Sequence, residues 1–129
     1  MNISCCQTEQ NGFFIGLIAK FKLVFYALNK ATEDFCGVDF SNSDLREWDF
    51  AYSDLYLADF SNSDLEGVNL EEADLSFTDL TNANLTNANL TNTNLEGTVL
   101  IGTNLLHANL NGVKNFDRAI ANFCLLPML

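Results

Sequence analysis

Large apolar residues recur at every fifth position over most of this chain. The run TNANLTNANLTNTNL at 81–95 shows the period most clearly, and one frame holds from residue 33 to residue 112. A strand alternates with a period of two and an amphipathic helix with a period of 3.6, so neither regular element produces a period of five. The pattern therefore predicts a chain that turns once in every five residues, with short extended sides joined by corners.

Each five-residue unit has three restricted positions. The central residue is Leu or Phe in all sixteen units, the residue before it is Asp in nine and Asn in six, and the residue two before it is Ala, Ser, Thr or Val in fourteen. Val99 departs from the pattern at the second position, and Glu33 and Trp48 depart from it at the third. The central residues are Phe35, Phe40, Leu45, Phe50, Leu55, Phe60, Leu65, Leu70, Leu75, Leu80, Leu85, Leu90, Leu95, Leu100, Leu105 and Leu110.

A longer identity indicates how many units close one coil. FSNSDL recurs unchanged at 40–45 and 60–65, twenty residues apart, which is more identity than the five-residue period requires. We therefore expect four units to close one square coil, with the central and small residues pointing inward. Stacked coils would form a continuous apolar column, and both open ends would need covers.

Residues 33–112 contain sixteen tandem copies of one five-residue pattern: a small residue, then Asp or Asn, then Leu or Phe, then two residues of any type. This repeat resembles that of the pentapeptide-repeat family. The resemblance implies an all-β solenoid, a right-handed quadrilateral β-helix of about four coils, in a family that is abundant in cyanobacteria. It also favours a non-enzymatic module for protein interaction or scaffolding. Some members of the family are DNA mimics that bind DNA gyrase, which gives an alternative function.

Residues 13–30 carry apolar side chains at helical spacing, within a stripe about 120° wide. We predict a helix that caps the first coil, with a membrane or partner helix as the alternative. Three regions follow: a tail and capping helix over 1–32, the solenoid over 33–112, and an irregular C-terminal cap over 113–129. The stripe consists of Phe14, Leu17, Ile18, Phe21, Val24, Phe25 and Leu28.

Cysteine usage and the N-terminal sequence indicate the compartment. The four cysteines form no CxxC pair, and the chain has one His, so a metal cofactor is not expected. The apolar run at 13–19 ends at Lys20 and Lys22, which makes it too short to span a membrane. No basic segment precedes that run, so we expect a cytoplasmic protein. Adjacent Cys5 and Cys6 fit reduced thiols, or a lipidation or redox site.

The net charge of −11 argues against nucleic acid or an anionic membrane as the main partner. Most of this charge belongs to residues 33–72, which carry −11, whereas residues 73–112 carry −3. A twenty-residue coil predicts outward columns of acids about 5 Å apart. The columns are Asp34, Asp54 and Asp74; Asp39, Asp59 and Asp79; and Asp44 with Asp64.

These acidic columns have two interpretations. Asp side chains often bond nearby backbone amides in turns, which would make the columns a solvated structural face. Alternatively, they recognise a basic partner, and an acidic DNA mimic acting on a target such as gyrase is one version of that idea. A stack about 19 Å long spans only about six base pairs of DNA, and its second half is nearly neutral, which weakens mimicry.

Four large side chains occupy outward positions beside the acids. Apolar residues next to charge resemble the centre and rim of a protein interface, so they are candidate partner-binding residues. Alternatively, the N-terminal segment covers them. The partner remains unidentified, and a homodimer through a solenoid end is a further option. The four residues are Tyr52, Tyr56, Leu57 and Phe77.

The sequence offers no catalytic constellation. His107 is predicted to project outward, with no Ser or Cys positioned beside it as a nucleophile, and no Gly-rich loop is present to cradle a phosphate. We therefore expect no enzymatic activity and no cofactor.

Overall fold

A computed structural model describes residues 34–121 of the chain. The predicted capping helix, Cys5, Cys6 and Cys124 lie outside these residues. Within them, parallel β-bridges join residues twenty positions apart, so that twenty residues form one coil. The bridges form four columns, which we call sides 1 to 4. Side 1 contains residues 34, 54, 74, 94 and 114; side 2 contains 39, 59, 79, 99 and 120; side 3 contains 44, 64, 84 and 104; side 4 contains 49, 69, 89 and 109.

The sides are much shorter than ordinary strands. Each holds a single bridging residue, so the described chain contains isolated bridges and no extended strand. The helical structure of the described residues is one 3₁₀ turn at Phe116–Arg118. A five-residue period explains the short sides, because two residues of every unit belong to a turn.

The core is a column of the central residues with the small residues between them. The central Leu or Phe of every unit from Phe35 to Leu105 is buried, as the five-residue frame predicts. Aromatic rings fill the first coils, where Phe40 stacks on Phe60 with centroids 4.8 Å apart. Trp48, the largest departure from the pattern, is also buried and packs on Phe50. The apolar interior therefore tolerates a Trp at a position that is usually small.

Each side ends in a tight turn. We call these turns corners 1 to 4, after the side that each one follows. In corner 1, for example, the amide of Ala58 donates to the carbonyl of Leu55 at 3.0 Å. The residue two after the centre has φ between +54° and +71° in all sixteen units, which identifies type II turns. Gly or Asn, which tolerate this conformation, hold ten of these positions. The other six are Glu47, Tyr52, Leu57, Glu72, Phe77 and His107.

Buried threonine hydroxyls connect successive coils. Thr98 Oγ1 donates to the carbonyl of Leu75 at 2.7 Å, and Thr78 Oγ1 donates to that of Leu55 at 2.8 Å. Among the described residues, no buried side-chain polar atom lacks a hydrogen-bond partner. Each of these threonine hydroxyls donates its proton to a carbonyl of the previous coil, whereas Ser63 Oγ, at the same inward position, donates to the carbonyl of Phe60 in its own coil at 2.6 Å.

The five-residue frame persists slightly further than the sequence suggested. The sequence pattern predicts a slip at Val113 to Ile120, but Lys114 still pairs with Asn94 at a spacing of twenty. Ile120 then pairs with Val99 at a spacing of twenty-one. Asn115, at φ +57°, and the 3₁₀ turn absorb the additional residue. The register therefore changes after Lys114, between the last bridge of side 1 and the last bridge of side 2.

Candidate partner-binding surface

The predicted acidic residues lie in the predicted columns. Asp54 bridges both Asp34 and Asp74 on side 1, Asp59 bridges both Asp39 and Asp79 on side 2, and Asp44 bridges Asp64 on side 3. On all four sides, every Asp or Asn of this position accepts a hydrogen bond from the backbone amide two residues later. The fifteen distances lie between 2.8 and 3.3 Å. These carboxylates therefore order the corners as well as carrying charge.

Asn and Asp differ in what they do along a column. The amide of Asn84 donates to the carboxylate of Asp64 at 2.9 Å, and Asn89 donates to Asn69 at 3.1 Å, so asparagines link successive coils. An ionised Asp has no proton to donate. Where Asp59 stacks on Asp39, the column therefore places like charges about 5 Å apart. The amide ladder belongs to the later coils and the charge to the earlier ones.

Arg46 partly neutralises side 3. Its Nε and Nη2 atoms bind the two oxygens of Asp44 at 2.8 and 2.7 Å, and Nε lies 3.8 Å from Asp64 Oδ2. These hydrogen bonds lower the pKa of Asp44 to about 2. On side 2, hydrogen bonds from Ser41 lower the pKa of Asp39. The ion pairs within residues 34–121 involve neither Asp59 nor Asp79.

Three of the four predicted apolar residues meet at corner 1. Leu57 and Phe77 occupy equivalent positions of successive coils and are about half exposed, at 49% and 50%. The Tyr56 ring meets the Phe77 ring edge-on, with centroids 5.7 Å apart and planes at 75°. Their backbone is fixed, because the amide of Leu57 donates to the next coil at 3.1 Å and that of Phe77 at 2.8 Å. We call Tyr56, Leu57 and Phe77 the corner patch.

Tyr52 occupies a different corner. It belongs to corner 4, and side 1 with its bridging residue Asp54 separates it from the corner patch. Its side chain is 54% exposed. The structure therefore divides the predicted set of four into one cluster of three and one separate tyrosine.

Gly97 positions the Phe77 ring. A Cβ atom at Gly97 would lie 2.7 Å from Cδ1 and Cε1 of Phe77, so the ring occupies space that only glycine leaves open. Asn82 lies against Gly102 in the same way at corner 2. The repeat pattern did not single out Gly97, although a Gly twenty positions after a large corner residue is a usable signal.

Acidic columns flank the corner patch on both sides. Corner 1 lies between side 1, with Asp54 and Asp74, and side 2, with Asp59 and Asp79. The patch is therefore an apolar ridge between two rows of carboxylates. Protein interfaces commonly combine an apolar centre with a polar rim.

Other chemistry is sparse in the described residues. His107 is exposed at a positive-φ corner position. Within residues 34–121, no three His, Cys, Asp or Glu side chains are grouped to hold a metal ion, and no helix is long and apolar enough to cross a membrane.

The repeat region matches the model of a known protein family. The family model described as Pentapeptide repeats matches the chain in eight copies, over residues 34–67, 53–92 and 78–114. The matches span more than half of the chain, and the resemblance inferred from sequence is confirmed. No curated protein matches the chain.

Several solved structures are similar. HetL, a pentapeptide repeat protein involved in heterocyst differentiation regulation from the cyanobacterium Nostoc sp. strain PCC 7120, is 28% identical with a TM-score of 0.55; the match covers 64% of this chain and 41% of HetL. The protein alr5209 from Nostoc PCC 7120 is 31% identical over 86% of this chain and 91% of its own, with a TM-score of 0.40. A trypsin-treated form of QnrB1, a plasmid-mediated fluoroquinolone resistance protein, is 25% identical over 64% of this chain and 52% of QnrB1, with a TM-score of 0.33. The chain thus spans about two fifths of the length of HetL.

Proposed function

The chain belongs to the pentapeptide-repeat family, and we propose that it is a non-enzymatic protein-interaction or scaffold module that binds its partner through the corner patch. Pentapeptide-repeat proteins are generally structural or interaction modules. The proposal includes a right-handed solenoid of about four coils, a helical cap over the first coil and a cytoplasmic location. A homodimer through a solenoid end is compatible with binding at a corner, because the corner patch lies on the lateral surface.

The conformation of Leu57 and Phe77 is the observation that carries the proposal. Both have positive φ, at +60° and +58°, where large side chains are uncommon and where most equivalent positions hold Gly or Asn. Both side chains are half exposed, so burial within this chain offsets little of that conformational cost. Backbone outliers of this kind are concentrated at functional sites, because function retains what stability alone disfavours.

A pull-down from a lysate of the source cell tests this function. Full-length wild-type protein should capture a partner that the Leu57→Asn variant loses. Asn suits the positive φ, so the variant should fold and its circular dichroism should match that of the wild type. Ile101→Asn is the matched control, because Ile101 is an exposed apolar residue at corner 2. Identical captures by all three proteins would refute binding at corner 1.

Mimicry of DNA is the second candidate, and the stacked acids of sides 1 and 2 are the observation that favours it. Asp39, Asp59 and Asp79 form one column of adjacent bridge partners. A supercoiling assay with DNA gyrase tests this candidate directly. Inhibition at micromolar protein that is lost in the Asp59→Asn, Asp79→Asn variant would support mimicry, and uninhibited supercoiling would exclude gyrase as the target.

A further inference from the structure

We infer, on the basis of the function proposed above, that the corner patch binds a protein segment whose apolar side chains are flanked by Lys or Arg. The partner segment would place apolar groups on Leu57 and Phe77 and basic groups over the acids of sides 1 and 2. This chemistry names the class of partner that the surface fits.

The apolar part of the partner follows from the ridge. Leu57 and Phe77 lie one coil apart, about 4.8 Å along the stack. Apolar side chains one turn apart on a helix have Cβ atoms about 5–6 Å apart, so two of them match this pair. The Phe77 ring is held between the Tyr56 ring and Gly97, which presents an ordered apolar surface to the partner.

The basic part of the partner follows from the charges beside the ridge. Two carboxylates stand on each side of it, and they belong to different sides of the coil. The structure describes three basic residues, of which Arg46 pairs with Asp44 and Arg118 with Glu96. Lys114 belongs to the last rung of side 1, two coils beyond Asp74. The ion pairs within residues 34–121 involve neither Asp59 nor Asp79, so a cation that pairs with these two carboxylates comes from outside those residues.

Three synthetic peptides of equal length and spacing provide the probes. One carries Leu at positions i, i+3, i+4 and i+7 and Lys on the opposite face of an amphipathic helix, the second replaces Lys with Glu, and the third replaces Leu with Ser. Fluorescence anisotropy with the full-length protein measures their binding at low and high salt. We expect the Leu/Lys peptide to bind most tightly and to weaken as salt screens the carboxylates.

Substitutions assign the binding to corner 1. Leu57→Asn and Phe77→Asn should each weaken the Leu/Lys peptide by about tenfold or more, because each removes a central apolar contact. Asp59→Asn combined with Asp79→Asn should weaken binding and reduce its salt dependence. These two changes keep the Oδ1 acceptor that the corner amides require, as the native asparagines do. Ile101→Asn should leave binding unchanged.

Each contrary outcome identifies what is wrong. Equal binding of the Leu/Lys and Leu/Glu peptides would overturn the basic partner, and equal binding of the Leu/Lys and Ser/Lys peptides would overturn the apolar one. If Leu57→Asn accelerates trypsin cleavage after Lys20 without changing peptide affinity, the occupant is the chain's own N-terminal segment and the partner inference is wrong. Loss of a native partner in the Leu57→Asn pull-down, with no peptide binding, would refute the stated chemistry and leave the proposed function standing.

Discussion

Replacing Leu75 with Ala tests the inward direction of the five-residue frame. The Leu75 side chain is fully buried, and its carbonyl also accepts the Thr98 hydroxyl. Removing three carbons loses about 2.4 kcal/mol of transfer free energy at about 0.8 kcal/mol each. Coils above and below are joined by hydrogen bonds and collapse little, so the residual cavity should bring the total to about 3–5 kcal/mol.

Urea unfolding followed by circular dichroism measures this loss, and thermal unfolding provides a second measure. A loss of 3 kcal/mol should lower the Tm by about 12 °C or more, at roughly 4 °C or more per kcal/mol. Leu106→Ala is the matched control, because Leu106 is 44% exposed in corner 3 and should cost less than about 1 kcal/mol. Equal losses in the two variants would refute the assignment of inward and outward positions.

Two other substitutions test the corners. Asn tolerates the positive φ at position 97, but Gly97→Asn places a Cβ atom where the Phe77 ring lies. The substitution should therefore shift the Phe77 ring resonances in NMR spectra and weaken partner binding. Gly37→Asn is the control and should do neither, because a Cβ atom there has nothing within 4 Å. Because the folded pKa of Asp44 is lowered to about 2, its stabilising contribution should be complete above about pH 4 and lost as the pH falls toward 2. NMR titration measures that pKa, and Arg46→Ala should raise it; an unchanged pKa would show that the ion pair is not its cause.

The five-residue period was sufficient to predict the core. An interior that is closed on four sides has little space, so only Leu or Phe at the centre and small residues two positions before it recur there. The same frame placed the acids in columns, because a period of twenty aligns equivalent residues whatever the geometry of the corners. The family followed from these regularities and is confirmed by the match over residues 34–114.

Details at the corners were not accessible from the pattern. Two positions in each unit accept any residue, so the motif did not show that Leu57 and Phe77 have positive φ, or that Gly97 makes room for the Phe77 ring. The five-residue frame predicts an outward position for Tyr52 as it does for Tyr56, Leu57 and Phe77. Only the fold shows that side 1 separates it from them.

The repeat pattern alone predicts which side chains face inward, because packing in a narrow interior restricts residue size at each repeat. The positions of the acidic residues in the sequence also show that the negative charge is concentrated in the early coils. The contacts of the outward residues are visible only in the folded chain: which carboxylates accept hydrogen bonds from corner amides, which asparagines link coils, and which apolar residues meet. These relations depend on distances between residues twenty positions apart and on turn conformation, and a motif that constrains three residues in five leaves both unspecified.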